Sequence, residues 1–325
     1  MQKTLISKEY MFRSNLDTVI VCLALLAVGI YLNGALAVYQ ALVCVASCVL
    51  CELLGFHVLL KKKTLPDLGA VATGLIIAML LPSCAPLWVG ACAGAFAILA
   101  SKLPFGDGRN APFLPAAAGF CFAAMFFPKE VFTFSALSDA ANTLFMNEEG
   151  FSAGISLLDM LRSGDSLTLN VFGISKLLSG KIPGAIGTVS LVALCGAAGY
   201  ILVREPKRLL PSLGFLISSG LFAFLFPRIN AGRLTSVVME ISAGSLLFVA
   251  LIMINNPVNL PEKSHLKFIY GILGGVIAML LRYFSALSDP CVFTVLIKNA
   301  LWPSFYSKIP SDKKMSKGKE SEVCG

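Results

Sequence analysis

Two carboxylates, Glu52 and Glu240, stand inside long apolar runs, and they are the first residues in the sequence to which chemistry can be attached. A charged side chain at the centre of a bilayer costs about 2.5–3.5 kcal/mol on insertion scales, so such an acid calls for a partner or a role. Two readings stay open for this pair: protonated or ion-paired side chains that glue helices together, or steps on a route for a cation or proton. Lys298 lies in a further apolar run and reads either as a stem that snorkels to the interface or as the counter-charge of such an acid. His57 and His265 fall at the ends of apolar runs, where an interfacial histidine with a satisfied ring is expected. Two histidines so far apart give no metal site.

Cys44, Cys48 and Cys51 have the C-x3-C-x2-C spacing with which some enzymes hold an iron–sulfur cluster. That chemistry needs a loop able to wrap three thiolates round an iron corner, whereas "CVASCVLC" sits inside a continuous apolar span. The cysteines therefore read as small residues that ease helix packing. No Gly-rich phosphate loop, Ser/His/Asp set or HExxH is present. No residue is assigned a catalytic or metal-binding part. A chain with so little reactive side-chain chemistry is expected to move something or to hold a cofactor that does the work.

The elements that would position these residues are membrane helices. Of the 325 residues, 57% are hydrophobic and only 14% charged, against a usual soluble balance of about 45–50% and 25%. The net charge of +8 raises the possibility of a nucleic-acid partner, but the basic residues cluster between apolar runs and in the tail "SDKKMSKGK", which fits topology and not nucleic acid. No cleavable signal is evident at the N-terminus. A crossing needs about 20 apolar residues. Candidates fall near 17–38, 41–60, 68–82, 86–102, 112–127, 184–203, 209–226, 234–254, 266–284 and 290–306. The distribution of Lys and Arg puts both termini in the cytoplasm and the stretch from about 128 to 183 on the opposite face. The expected fold is an all-α polytopic membrane protein of about ten transmembrane helices. Its expected parts are a first five-helix half (1–127), an extracytoplasmic loop (128–183), a second five-helix half (184–308) and a basic cytoplasmic tail (309–325).

The third span, "ATGLIIAMLLPSCAP", and the eighth, "SAGSLLFVALIMINNP", share small residues, an apolar run and a polar, proline-bearing exit. Each is third in a set of five. Two sets of five insert with opposite orientation, the inverted-repeat plan of many transport proteins, with segments three and eight flanking the functional centre.

The block "DLGAVATGLIIAMLLPSCAPLWVGACAGAFAILASKLPFG", Asp67 to Gly106, resembles RnfD, a membrane component of the Rnf electron transport complexes, and its cousin NqrB of the sodium-pumping quinone reductases. The resemblance runs through Thr73, Gly74, Leu81, Pro82, Pro86, Leu87, Trp88, Ala97, Ile98, Lys102 and Phe105, then through Pro112, Phe113, Pro115, Ala116 and Gly119. Further on, "GKIPGAIGTVS" keeps the family's Gly180, Pro183, Gly184, Ile186, Gly187 and Ser190, with Thr188 in place of an acid. "MINNPVNLP" keeps Met253, Pro257, Val258 and Pro261, with Asn256 in place of an aspartate. Gly271, Gly275, Arg282, Phe293, Leu296 and Asn299 lie in register with the last two helices.

The resemblance implies a ten-helix membrane subunit of an ion-translocating ferredoxin:NAD oxidoreductase in a bacterial cytoplasmic membrane. It would work with the other Rnf-type subunits: the membrane proteins RnfA and RnfE, the flavoprotein RnfG and the peripheral RnfB and RnfC. It further implies FMN esterified to a hydroxyl on the outer face, with a second, noncovalent riboflavin in similar proteins. "AGISLLDML" lies over the family's attachment motif with Gly154 on its Gly, Ile155 on its Ala, Ser156 on the modified Thr and Leu158 on its Leu. Ala153 replaces the first hydroxyl residue, Leu157 the proline and Gly150 the upstream acid. Ser156 is thus either the flavin anchor or an unmodified serine that helps a turn. The rival functions are a flavin-less transporter or channel on the same plan and a purely structural member of a degenerate complex.

Overall fold

The structure, a computed structural model, describes residues 8–58, 67–105, 111–135, 153–154, 156–163, 174–228, 232–261 and 263–306. Much of the expected loop 128–183 and all of the tail 309–325 lie outside those residues. Each of the ten apolar segments holds a helix. Five helical stretches are long and apolar enough to cross a membrane: Glu9–Asn33, Leu36–His57, Leu87–Phe105, Pro206–Leu225 and Ser264–Phe284. A sixth is formed if Arg233–Ser242 and Leu246–Met253, bent by 69° to one another, count as one broken span. Four shorter apolar helices, Leu68–Leu80, Pro115–Phe126, Leu191–Arg204 and Cys291–Pro303, complete the set. A chain in lipid must satisfy its own backbone groups, which helices do within each segment. Large apolar side chains such as Leu54, Val203, Leu221 and Phe284 are left exposed, as a lipid-facing surface requires. The protein is an all-α polytopic membrane protein.

In the first half, α1 (Lys8–Asn33) and α2 (Leu36–Val58) flank α3 (Leu68–Leu80), which is buried at every position from Ala72 to Leu80. α3 is apolar all round because it touches protein on every side. Its approach to α2 is limited only by backbone: a Cβ on Gly74 would stand 2.6 Å from Val45 Cα. α4 (Leu87–Phe96) packs on α2 through Gly90 and Gly94, and these face the thiols of Cys44 and Cys48. The Cys48 thiol donates to the Gly94 carbonyl at 3.6 Å and the Ser47 hydroxyl to that of Ala91 at 2.6 Å. The cysteine series therefore lies along a helix–helix seam. A π-helical turn, Ala97–Lys102, follows α4, and α5 (Pro115–Phe126) closes the half.

The connection between halves begins with α6 (Pro128–Phe132) and a two-residue antiparallel ladder in which Phe134 of β1 (Phe134–Ser135) pairs with Gly154 of β2 (Ala153–Gly154). Two short helices follow, α7 (Leu157–Ser163) and α8 (Ile174–Ser179). The chain then crosses the end of α3, where the Ile186 amide donates to the Leu81 carbonyl at 3.1 Å and the Gly187 amide to that of Met79 at 2.8 Å.

In the second half, α9 (Leu191–Arg204) starts at Ser190, whose hydroxyl accepts from the Ala193 amide at 3.3 Å. α10 (Leu210–Leu225) and α13 (Ser264–Phe284) make the most extensive helix pairing, through Gly214, Gly271 and Gly275. Between them lies the broken span: α11 (Arg233–Ser242), a turn at Ala243–Ser245, and α12 (Leu246–Phe248) running into a second π-helical turn, Val249–Met253. Gly244 forms the turn with φ of +62°, a conformation that side chains with a Cβ rarely adopt. α14 (Cys291–Tyr306) ends the described chain.

Candidate functional site

Ser156 lies at the start of α7, in a Ser-x-x-Asp arrangement that organises a helix N-terminus. Its Oγ accepts from the Asp159 amide at 3.1 Å, as an N-cap does, and its hydroxyl proton is directed at Asp159 Oδ2, 2.6 Å away. In a reciprocal capping box the acid would take the cap residue's own amide. Here Asp159 accepts from the hydroxyl, so the oxygen most able to act as a nucleophile already has a carboxylate to receive its proton. The serine is buried, with 8% of its surface exposed. Leu157, Leu158 and Leu161 press the other face of α7 into a second apolar cluster with Leu32, Leu177, Ile182 and Met239. Gly154, two residues before the serine, is held by the ladder to Phe134. Ile155 lies outside the described residues.

Ser156 faces a narrow cleft with a cavity volume of about 40 Å³, room for little more than a water molecule. Its walls come from both halves: Leu80 of α3, Phe120 of α5, the Gly184–Val189 crossing and the Ser242–Ser245 break. Segments three and eight both reach it. Asp289 fixes one corner, accepting from the Ser245 amide at 2.6 Å and the Cys291 amide at 3.3 Å. The Ser245 Oγ is buried and has no hydrogen-bond partner among the described residues.

The lining residues are of the types that could hold a flavin, although the cleft in this conformation is too narrow for the ring and would have to open. Phe120, Phe132 and Phe134 supply apolar walls, the orphaned Ser245 hydroxyl a polar edge and Ser156 a nucleophile with its acceptor. No lysine or arginine lines the cleft among the described residues, so nothing there would hold a phosphate by charge.

The break in the eighth segment is organised from α13. Arg282, fully buried, donates through Nη1 to the Glu240 carbonyl at 2.5 Å and to Glu240 Oε2 at 3.2 Å, and through Nη2 to the Ala243 carbonyl. Half-helices that end inside a membrane protein leave carbonyls which attract cations, and here a guanidinium takes that place. Arg228 adds a second cation. Its Nη1 stands 3.7 Å from Glu240 Oε1, Nη2 donates to the Arg282 carbonyl at 2.7 Å, and the guanidinium stacks 3.7 Å above the Tyr283 ring. Burial pushes the Arg228 guanidinium below the usual arginine range, and Glu240 opposes that shift. Glu240 is thus an ion-paired acid held by two arginines.

Glu52 is paired as well: Lys102 Nζ lies 2.5 Å from its Oε1, brought there by the π-helical turn. Glu52 Oε2 has no hydrogen-bond partner among the described residues. Lys298 departs from both expectations. It does not snorkel, being fully buried, and among the described residues it meets no carboxylate; its Nζ rests 3.8 Å above the Tyr270 ring. His57 and His265 are exposed at helix ends. Thr188 and Asn256 serve local turns. The Thr188 hydroxyl donates to the Ala185 carbonyl at 3.3 Å, and Asn256 Oδ1 accepts from the Val258 amide at 3.0 Å.

Sequence alone singles out neither Asp159 nor Asp289, nor the role of Arg282. The Ser156–Asp159 spacing is a readable signal; Asp289, far along the chain, has none.

Comparison with known proteins finds relatives over most of the chain. A family described as NQR2, RnfD, RnfE matches residues 4–312. The chain is 28% identical over 320 residues to the D component of the ion-translocating oxidoreductase complex of Stutzerimonas stutzeri, covering 90% of each chain. It is 27% identical over 297 residues to the D component of the Na(+)-translocating ferredoxin:NAD(+) oxidoreductase complex of Acetobacterium woodii, covering 88% of this chain and 85% of that one. The corresponding D component of Salmonella enteritidis is 27% identical over 266 residues, 74% of this chain and 75% of that one. With a match from residue 4 to 312, the chain belongs to the NQR2, RnfD, RnfE family.

Proposed function

We propose that this chain is the RnfD-type membrane component of an Rnf ion-translocating ferredoxin:NAD oxidoreductase, not catalytic alone, and that Ser156 anchors FMN on the face opposite the two cytoplasmic termini. The relatives' names support the complex. The observation that carries the anchor is the 2.6 Å hydrogen bond from the Ser156 hydroxyl to Asp159, at the mouth of a cleft shared by both halves. When bound, the isoalloxazine supplies the electron-transfer chemistry. The residues of this chain hold and shield it. Ser156 would provide the ester oxygen to an activated flavin phosphate whose leaving group departs, Asp159 would take the hydroxyl proton, Ser245 would offer a hydrogen bond, and Phe120, Phe132 and Phe134 would exclude water. Electrons enter from a flavin-bearing partner, and RnfA and RnfE together with this chain couple the step to Na+ or H+ movement. RnfG, RnfB and RnfC complete the assembly in the bacterial cytoplasmic membrane. Of the two intramembrane acids, Glu52 keeps a free carboxylate oxygen and is the better station for a passing cation; Glu240 is committed to arginines.

The test is direct. The purified polypeptide, denatured on a gel, should fluoresce under ultraviolet light, and Ser156→Ala should remove the band. A dark wild-type band sinks the flavin ester and favours the second reading, a flavin-less transporter or structural component. That reading draws on one observation: both hydrogen bonds of Ser156 are already taken by Asp159, one of them the cap of α7. Co-purification with the other Rnf proteins separates a complex-bound role from a stand-alone pore.

A further inference from the structure

Lys298 sits midway along α14 (Cys291–Tyr306), fully buried in the second half. Its stem lies against α13, where a Cβ on Gly274 would stand 3.3 Å from Lys298 Cδ. Nζ has no hydrogen-bond partner among the described residues and rests 3.8 Å above the face of Tyr270. That ring is fixed from two sides: its hydroxyl donates to Asn299 Oδ1 at 3.0 Å, and Trp302 meets it edge-on with centroids 4.9 Å apart.

The ionisable groups on the elements packed around this amine leave it alone. α10 and the Val249–Met253 turn carry none. α5 carries only Cys121, and α14 itself only Cys291 and Tyr306 besides the lysine. α13 brings Tyr270 against the amine, with His265 and Lys267 nearer its start and Arg282 and Tyr283 at its far end. At 1.5 Å per residue, Arg282 stands about 18 Å along the helix from Tyr270.

No acid compensates an ammonium here among the described residues. The aromatic face is worth about 2 kcal/mol to a desolvated cation. Burying an unpaired ion costs several kcal/mol, so the ring offsets only part of the penalty. The neutral amine avoids that cost but leaves its lone pair without a donor and forgoes the ring. Neither protonation state is locked in place, unlike Lys102 or Arg282, each of which is pinned by a glutamate.

We propose that Lys298 is an exchangeable proton-binding site at the centre of the second bundle. Its amine alternates between R–NH3+ lodged on the Tyr270 ring and R–NH2 in the same pocket, exchanging one proton with water. The site stands apart from the flavin cleft and holds whether or not Ser156 carries FMN.

The chain's two tryptophans, Trp88 and Trp302, give a readout. In a Trp88→Phe background the emission reports Trp302 alone, one ring away from the amine. The full chain in detergent micelles is titrated between about pH 5 and pH 10, the range that spans ordinary histidine and lysine behaviour. We expect a single one-proton step in Trp302 emission. Lys298→Met should remove the step and fix the signal at its alkaline limb; Lys298→Arg should also remove it and fix the signal at its acid limb. A flat wild-type titration, or a step that survives Lys298→Met, overturns the proposal.

Discussion

Arg282 Nη1 meets both the main-chain carbonyl of Glu240, at 2.5 Å, and its carboxylate, at 3.2 Å. One guanidinium therefore closes the open end of a half-helix and neutralises the acid beside it. Breaking a buried pair by removing one partner costs about 3–5 kcal/mol, because the survivor stays charged and unpaired. Arg282→Met should lower the thermal midpoint of the detergent-solubilised protein sharply. Glu240→Gln keeps the carbonyl contacts but leaves Arg282 charged and buried, so it should also destabilise, by less than Arg282→Met. Equal losses would show that the carbonyl contacts contribute nothing.

Gly244 has φ of +62° and would bring a Cβ to 2.7 Å from Asp289 Oδ2. Gly244→Ala should therefore destabilise by more than the about 1 kcal/mol expected from a residue in a left-handed conformation alone. Chemical denaturation of the two proteins measures it, and a neutral substitution would mean that the turn relaxes freely.

The Glu52–Lys102 pair should respond asymmetrically. Either single change, Glu52→Gln or Lys102→Met, leaves a buried partner behind and should cost about 3 kcal/mol or more. The double variant should recover most of the loss. A thermodynamic cycle from unfolding midpoints gives the coupling, and additive losses would contradict the pairing.

Lys298→Met should raise stability, since a near-isosteric apolar side chain replaces an amine without a hydrogen-bond partner; the gain expected for such exchanges is about 1–3 kcal/mol. A lower midpoint would mean that the aromatic contact outweighs desolvation.

Asp159→Asn keeps an acceptor for the Ser156 hydroxyl but weakens its pull on the proton. It should reduce in-gel flavin fluorescence several-fold while altering stability by less than about 1 kcal/mol, the usual worth of a cap. Asp159→Ala should do both. Unchanged fluorescence in Asp159→Asn would remove the carboxylate from the loading step.

The helical elements can be read from sequence because a membrane span imposes its own length and polarity. The ten apolar segments and the run of small residues from Cys44 to Cys51 follow from that alone. The break at Gly244 is harder to see, since "SAGSLLF" is apolar enough to continue as one helix and only the left-handed glycine and Arg282 reveal the turn. The cleft is legible in part. Ser156 and Asp159 are three residues apart, within reach of a local pattern, whereas Asp289 and Ser245 converge only through the packing of α11 to α14. The solitude of Lys298 is invisible because a sequence shows which acids exist but not which ones stay away.

The crossing of Ile186 and Gly187 over the end of α3 uses amide hydrogens and carbonyl oxygens alone. The bonds are main-chain, but the side chains around them are closely packed: a Cβ on Gly187 would stand 2.6 Å from Met79 Cβ and Ile186 is buried in the core, so Gly187→Ala and Ile186→Ala should both disturb the joint. Proline at 186 or 187, which lacks the hydrogen, removes the bond outright. The end of α3 and the Gly184–Val189 wall of the cleft are thus tied by two main-chain bonds, so a shift of α3 along its axis would carry that wall with it.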